Sequence, residues 1–352
     1  MNIDIQRHWG DKELYFVGEL SAKIIESMQR DGEVTLFSKE QRCARESGLY
    51  NLLNQLSAYH NWDKSKLTIK TINYLEKHDH YTINFMFEEC WEYATIGPEY
   101  IRDNIEHRPW NREKTYGMFL GRANVTRIHG VHKHKQFEFS DQGLVSWHHN
   151  LRKQVDQPVL TEYLMTTNQT YEEMVSVTPF SDIGPVLTPP ITNSTAGDID
   201  WSSVYEKIAI ELVFETSESG RVSSVTEKLL RPMLYKRPFM LIGGKHAIRN
   251  LKETIIPNFF QRLDSTMNIC FFENVFSNAY DDDHGIWRVD HVFDILRELM
   301  LTGKIQTIIE DCQEGIDTNY KFVQKIFHNQ YSQSTDHLLF DYKSWRKPNY
   351  DQ

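Results

Sequence analysis

Short segments with the apolar pattern of β-strands alternate along the chain with segments of helical pattern. The helical patterns include SAKIIESMQR, GLYNLLNQLSAY, VYEKIAIELVF (Val204–Phe214) and RVDHVFDILRELM. The strand patterns are ELYFVGEL (Glu13–Leu20), EVTLFSK (Glu33–Lys39), KLTIKTIN (Lys66–Asn73), YTINFMFEEC (Tyr81–Cys90), TYGMFLG (Thr115–Gly121) and RPFMLIGG (Arg237–Gly244). Strands that alternate with helices form βα units and pair in parallel. The alternation therefore predicts an α/β fold.

A segment rich in proline divides the chain near residue 190. TPFSDIGPVLTPPITNSTAGDID (Thr178–Asp200) holds four prolines among many small polar residues, which a helix or a central strand does not tolerate. A chain of 352 residues is also long for one hydrophobic core. We therefore expect an N-terminal domain at 1–177, a linker or mobile loop at 178–200, a C-terminal domain at 201–330 and a tail at 331–352, with the ligand cleft between the two domains.

Composition and charge exclude several classes of protein. No apolar run approaches the length of a membrane span, and the N-terminus lacks the pattern of a signal peptide. The four cysteines are far apart and form no CxxC motif, which favours reduced thiols in a cytoplasmic protein. A net charge of −10 argues against nonspecific coating of nucleic acid. It permits a local basic face, and the segment from Arg122 to Lys135 is the most basic of the chain.

The stretch SSVTEKLLRPMLYKRPFMLIGG (Ser223–Gly244) combines a helix start, a proline and a glycine turn. Ser224 and Glu227 fit a capping box, which explains Glu227 without a ligand. Lys228 is harder to explain, because a cation in the first helical turn opposes the helix dipole, whereas a bound anion would remove the conflict. Pro232 predicts a kink or an end of the helix near Arg231, unless the helix begins later than the capping box indicates. The structural and the ligand-binding interpretations both remain open.

The sequence around this stretch resembles the donor half of GT-B glycosyltransferases. IELVFETS…SSVTEKLLRPMLYKRPFMLIGG is similar to the E-[NT]-S…[ST]-E-K…P…G pattern of fucosyltransferase-like enzymes and of a group of bacteriophage glycosyltransferases. KTYGMFLGRANVTRIHG and TIKTINYLEKHDHYTI resemble N-terminal segments of the phage group. Phe272, Tyr280, Asp281 and Arg288 stand where that group has an F…YD…R ending. The similarity covers roughly residues 65–135 and 205–300.

The resemblance implies a GT-B fold, with two Rossmann-like domains that face each other across a cleft. It implies a nucleotide-sugar donor, such as a UDP- or GDP-sugar, and no cofactor or metal ion. Asp281-Asp282-Asp283 matches the letters of a metal motif, but it does not follow an N-terminal strand. Within the pattern, Glu227 would accept ribose hydroxyls, and Lys228, with Arg122 or Arg127, would bind the diphosphate. The implied donor-binding set is Arg122, Arg127, Glu215, Ser217, Thr226, Glu227, Lys228 and Gly243.

The sequence constrains the identity of the acceptor less than that of the donor. The resemblance to phage enzymes implies that the acceptor is 5-hydroxymethylcytosine in double-stranded DNA. The sugars it implies include a pentose such as arabinose. Lys133, Lys135 and Trp147 are the expected DNA contacts. A surface glycan or a lipid-linked sugar is the alternative acceptor, and a non-catalytic nucleotide-sugar or nucleic-acid binding module is the alternative function. An inverting transfer needs a base, for which the candidates are Glu40, Glu46, His129 and His132. The spacing in HGVHKH does not fit a helical pair of metal ligands, so we expect this segment to be a loop that contacts ligand or solvent.

Overall fold

The computed structural model contains two four-stranded sheets, each with parallel strands. It describes residues 2–4, 13–38, 49–71, 78–85, 105–121, 124–147, 157–170, 172–173, 201–215, 227–255 and 268–333. The predicted α/β class with parallel sheets is confirmed.

The first sheet belongs to the N-terminal quarter of the chain. Its strands are β1 (Asn2–Asp4), β2 (Val34–Ser38), β3 (Leu67–Thr71) and β4 (Thr82–Phe85), and they lie in the order β1-β2-β3-β4. Helix α1 (Glu13–Asp31) connects β1 to β2, and helix α2 (Leu49–His60) lies between β2 and β3 in sequence. Apolar side chains of both helices and of β2 and β3 form a hydrophobic core of their own: Leu20, Ile24, Leu36, Leu53, Leu67 and Ile69.

The structure corrects the prediction for ELYFVGEL. This segment is the first part of α1 and not a strand, so the helix runs without interruption from Glu13 to Asp31. Leu20, Ile24 and Met28 recur every four residues and are buried, which is the spacing of one face of a helix. Gly18 lies inside the helix, where it is exposed, instead of forming the predicted turn.

The second sheet joins segments that are distant in sequence. Its strands are β5 (Tyr116–Leu120), β6 (Gly143–Trp147), β7 (Ile210–Phe214) and β8 (Phe239–Ile242), and their order is β6-β5-β7-β8. Strands from both sides of the proline-rich segment 178–200 therefore share one sheet. The predicted boundary between domains 1–177 and 201–330 is wrong for this reason, and the change from one sheet to the other occurs between β4 and β5.

Eight further helices accompany the second sheet among the described residues. They are α3 (Val125–Gln136), α4 (Gln157–Thr167), α5 (Trp201–Glu206), α6 (Glu227–Leu234), α7 (Ala247–Asn250), α8 (Gly285–Leu301), α9 (Ile308–Asp311) and α10 (Gln313–Gln333). Buried apolar side chains from the part of the sequence between Tyr116 and Val323 form a second and larger hydrophobic core. Across the described ranges, no helix has both the length and the apolar character that crossing a bilayer would require.

A helical prediction also fails around residue 208. VYEKIAIELVF is helical only up to Glu206, and the strand β7 begins at Ile210. All five residues of β7 are buried, including Glu211. The Glu211 carboxylate accepts hydrogen bonds from Arg231 Nη2 at 2.7 Å and from the Tyr205 hydroxyl. The charged residue in the middle of this apolar segment indicated a helix with one polar face. The segment is a buried strand because that charge is paired inside the core.

Helix α6 begins at Glu227 and contains Pro232 before it ends at Leu234. The predicted cap Ser224 lies outside the described residues. Pro232 lies inside the described helix, where its missing N–H removes a single intrahelical hydrogen bond.

The histidine-rich segment is a buried helix and not the predicted loop. Asn124 caps α3, because its side chain accepts a hydrogen bond from the backbone N–H of Arg127 at 2.8 Å. His129, His132 and His134 are all buried. His134 Nδ1 lies 2.8 Å from the hydroxyl oxygen of Tyr116, so this imidazole takes part in the packing of α3 on β5.

The burial of His134 predicts that the protein loses stability in mild acid. Burial, with a smaller effect of Lys135, lowers the pKa of His134 to about 4, below the ordinary histidine value near 6.5. Only the unfolded chain binds this proton between those two values, so this group lowers the free energy of unfolding by about 1.4 kcal/mol per pH unit as pH falls through that window. Chemical denaturation of the wild type and of His134→Gln at several pH values measures this pH dependence of the free energy of unfolding.

Glutamine keeps a hydrogen-bonding group toward Tyr116 but does not titrate. We expect a steeper loss of stability in the wild type than in His134→Gln between about pH 6.5 and pH 4, since other titrating groups are common to both chains. Equal slopes would show that His134 is protonated in the folded protein.

Candidate functional site

The order of strands in the second sheet creates a switch point between β5 and β7. From β5 the chain proceeds to β6 on one side, and it later returns to β7 on the other side. The ladder between β5 and β7 consists of the pairs Tyr116–Ile210 and Gly117–Glu211, in the amino-terminal halves of both strands. In open parallel sheets, ligands bind at the carboxyl ends of the strands next to such a switch point. We call this region the carboxyl edge.

Arg127 connects the two sides of the switch point. It lies in the first turn of α3, directly after β5, and is 3% exposed. Its Nη2 donates to the backbone carbonyls of Phe214 at 3.1 Å and Glu215 at 3.2 Å, at the end of β7. The predicted donor-binding residue Arg127 is therefore at the carboxyl edge, where its guanidinium holds the end of β7 against the start of α3.

Glu215 and Gly243 are neighbours at the carboxyl edge. Glu215 directly follows β7 and is buried, and its backbone N–H donates to the carbonyl of Ile242 at 2.9 Å. Gly243 directly follows β8. A Cβ atom built on Gly243 would lie 3.8 Å from Cβ and Cγ of Glu215. A buried carboxyl group and a backbone without a side chain thus lie side by side.

Lys228 belongs to the first turn of α6 and is half-buried. Burial raises the pKa of Glu211 on β7, and the positive charges of Arg231 and Lys228 oppose that shift. At the other end of α6, Arg237 Nε donates to the carbonyl of Ile208, which precedes β7. The end of α6 therefore lies near the start of β7, and Lys228 lies one turn before Arg231, which pairs with Glu211.

A buried ion pair fixes the glycine turn after β8. Arg288 on α8 is fully buried and donates to the backbone carbonyls of Gly243 and Gly244. It also pairs with the carboxylate of Asp281. The same carboxylate accepts the backbone N–H groups of Ile248 at 3.0 Å and Arg249 at 2.9 Å, which caps α7. Asp281 and Arg288, quoted above for their resemblance to the F…YD…R ending, hold the turn in place.

The predicted catalytic histidines are engaged in helix packing. His129 Nε2 lies 2.8 Å from Asp290 Oδ1 on α8, and its Nδ1 lies 3.3 Å from the hydroxyl oxygen of Tyr163 on α4. His132 Nε2 lies 3.4 Å from the amide nitrogen of Gln169, and burial lowers the pKa of His132. The ring nitrogens of both histidines are already engaged by these side chains, so the structure does not present either one to an acceptor hydroxyl.

The predicted DNA contacts separate into three environments. Lys135 is exposed near the end of α3. Lys133 is partly exposed, and its Nζ lies 3.0 Å from Asp290 Oδ1. Trp147 is fully buried at the end of β6, so the prediction that it contacts DNA is wrong. The polar residues that follow Trp147 in sequence gave no indication of its burial at the end of the edge strand β6.

Several predicted site residues lie outside the described residues and stay predictions: Glu40, Glu46, Arg122, Ser217 and Thr226. Glu227 begins α6, but its side chain is not among those described. Sequence reasoning missed Arg231 and Asp290, the partners of Glu211 and His129. The apolar periodicity of α3 and α8 predicts that both helices are amphipathic. It does not predict which of their charged residues form ion pairs.

The variant Gly243→Ala tests whether Gly243 is important for the stability of the fold or for ligand binding. The added Cβ would meet Ala247 Cβ at 3.5 Å and Glu215 at 3.8 Å, which are ordinary contacts. We therefore expect thermal unfolding close to that of the wild type, whereas a ligand that approaches the backbone at Gly243 would bind more weakly. Gly130→Ala is the steric control, since its Cβ would lie 2.6 Å from Phe214 Cζ, and it should lower the unfolding temperature. A large loss of stability in Gly243→Ala would contradict this account of the turn.

Removing one partner of the Asp281–Arg288 pair should destabilise the protein strongly. Arg288→Met leaves Asp281 as a buried carboxylate without its guanidinium, a change that typically costs about 3–5 kcal/mol. Arg297→Met is the matched control, because Arg297 lies on the same helix and pairs with Glu138 at the surface. That variant should lose about 1 kcal/mol or less in urea denaturation. Similar losses in both variants would contradict the assigned role of Arg288.

No model of a known protein family matches the chain, and comparisons with curated proteins and with solved structures also gave no match.

Proposed function

We propose that the protein is a glycosyltransferase that binds a nucleotide-sugar donor at the carboxyl edge of the second sheet. The observation that carries the proposal is the adjacency of Glu215 and Gly243 at this edge, to which we add Lys228 from the first turn of the neighbouring helix α6. These three residues come from separate segments of the chain, and all three belong to the donor-binding set that the sequence pattern predicts.

Each of the three residues suits one part of the donor. Lys228 supplies a positive charge for the diphosphate, which gains negative charge as the sugar leaves. The carboxyl group of Glu215 is suited to accept ribose hydroxyls, as acidic residues do in other nucleotide sites. Gly243 lets a ligand approach the backbone closely. The start of α3, which follows β5, would also attract a phosphate through the positive end of its helix dipole.

The proposed acceptor is 5-hydroxymethylcytosine in double-stranded DNA, and the proposed sugars include a pentose such as arabinose. Lys135 is kept as a proposed DNA contact because it is exposed near the end of α3. Because His129 and His132 are engaged in packing, Glu40 and Glu46 are the proposed candidates for the general base. A GT-B arrangement of the two sheets across a cleft is part of the same proposal.

Lys228→Ala should weaken donor binding without unfolding the protein. A hydrogen bond to a charged group contributes about 1.5–3 kcal/mol, so we expect a loss of at least about tenfold in affinity for UDP or GDP. Isothermal titration calorimetry measures the affinity, and release of UDP or GDP from the sugar nucleotides measures turnover. Lys304→Ala is the control, because Lys304 is an exposed lysine in a short 3-10 helix after α8.

Mass spectrometry of DNA after incubation with a panel of UDP- and GDP-sugars tests the acceptor. Added sugar mass on DNA that contains 5-hydroxymethylcytosine, but not on unmodified DNA of the same sequence, is the expected result. Transfer only to a glycan would overturn the DNA proposal and retain the glycosyltransferase. Nucleotide binding without transfer or hydrolysis of any donor would identify a binding module instead of an enzyme.

A further inference from the structure

Trp287 is an exposed aromatic side chain on a helix that begins at the carboxyl edge. Among the described residues, the exposed large apolar side chains are Tyr59, Met165, Trp287 and Leu301. Trp287 is 52% exposed and lies in the first turn of α8. The next residue, Arg288, reaches the carbonyls of Gly243 and Gly244, so this turn of α8 lies beside the end of β8.

The indole ring is oriented toward the start of the helix. Its centroid lies 5.1 Å from the ring centroid of His284, the exposed residue that precedes α8, at an interplanar angle of 50°. Helical side chains extend toward the N-terminus of their helix, in agreement with this contact. Because Arg288 anchors the first turn to the glycine turn, the Trp287–His284 pair is held at the rim of the carboxyl edge.

The spacing of the strands relates this rim to the proposed phosphate site. Neighbouring strands lie about 4.8 Å apart, so the ends of β5 and β8 are separated by about 10 Å across β7. In the proposed donor site, Lys228 and the start of α3 bind the phosphates near β5 and β7. A nucleotide that extends from there across Gly243 would bring its base toward β8 and the start of α8.

We propose that Trp287 stacks on the nucleobase of a ligand bound at the carboxyl edge. An exposed indole offers a large flat apolar surface, and stacking on it tolerates any base because each base has a π-face. This inference rests on the proposed function for the identity of the ligand, a nucleoside diphosphate with its sugar. A base of a nucleic acid acceptor would be recognised by the same chemistry, and the experiment separates the two sources.

Calorimetric titration of the full chain with UDP, GDP, inorganic pyrophosphate and a short oligothymidylate tests the proposal. Trp287→Ala should weaken UDP and GDP binding by about fivefold or more and leave pyrophosphate binding unchanged, because pyrophosphate has no base to stack. Trp287→Phe should retain part of the affinity. Leu301→Ala is the matched control, since Leu301 is 59% exposed at the opposite end of the same helix.

The possible results distinguish this proposal from the glycosyltransferase proposal. A loss confined to the oligothymidylate would support stacking with nucleic acid as the source of the base. Unchanged binding of all four probes by Trp287→Ala, or an equal loss for pyrophosphate and nucleotides, would overturn the stacking site while leaving the donor site intact. If the wild type binds neither UDP nor GDP, the donor site fails, and if it binds none of the four probes, both proposals fail.

Discussion

The parallel pairing of β5 with β7 determines the arrangement of the larger part of the molecule. It joins Tyr116 to Ile210 and Gly117 to Glu211, across more than ninety residues of chain. This pairing brings β6 and β8 to opposite sides of one sheet and creates the switch point between them. A Cβ atom at Gly117 would lie 2.5 Å from the end of the Ile208 side chain, so any larger residue here would force that side chain to shift. Arg127 then completes the junction by donating to the carbonyls at the end of β7.

Two further arginine side chains connect the helices to this sheet. Arg231 attaches α6 to β7 through Glu211, and its guanidinium lies 4.4 Å from the ring centroid of Trp201 on α5. Arg288 attaches α8 to the turn after β8 through Asp281 and two carbonyls. Buried charges are costly unless they are paired and hydrogen-bonded, and both of these arginines are. Their common effect is to fix the position of segments that border the carboxyl edge.

The local patterns of the sequence were sufficient to predict β2, β3, β5 and β8, since each is a short apolar run bounded by turn or polar residues. They were insufficient where a helix and a strand have similar local patterns. ELYFVGEL has the composition of a strand but continues the apolar face of α1, and IELVF contains a glutamate whose partner is twenty residues away. The sheet order also escaped prediction, because pairing across residues 178–200 leaves no local signal.

The candidate site was also predictable only in part, because local patterns indicate some of its residues and not others. Lys228 stood out because it opposes a helix dipole, and Gly243 stood out because it ends a buried strand. His129, His132 and Trp147 were chosen for their chemistry, but their burial depends on α4, α8 and the sheet, which pack on them from distant parts of the sequence. Burial of a polar side chain is a property of the assembled fold, so sequence chemistry alone overestimated the number of residues open to a ligand.

Hydrogen–deuterium exchange with and without a nucleoside diphosphate tests the location of the ligand site most directly. Binding of UDP or GDP at the carboxyl edge should slow exchange in peptides that cover the start of α3, the end of β7, the start of α6 and the turn at Gly243-Gly244. Peptides of the first sheet's core and of α10 should be unaffected by direct contact. Protection restricted to other parts of the chain, with these four segments unchanged at saturating nucleotide, would contradict the account.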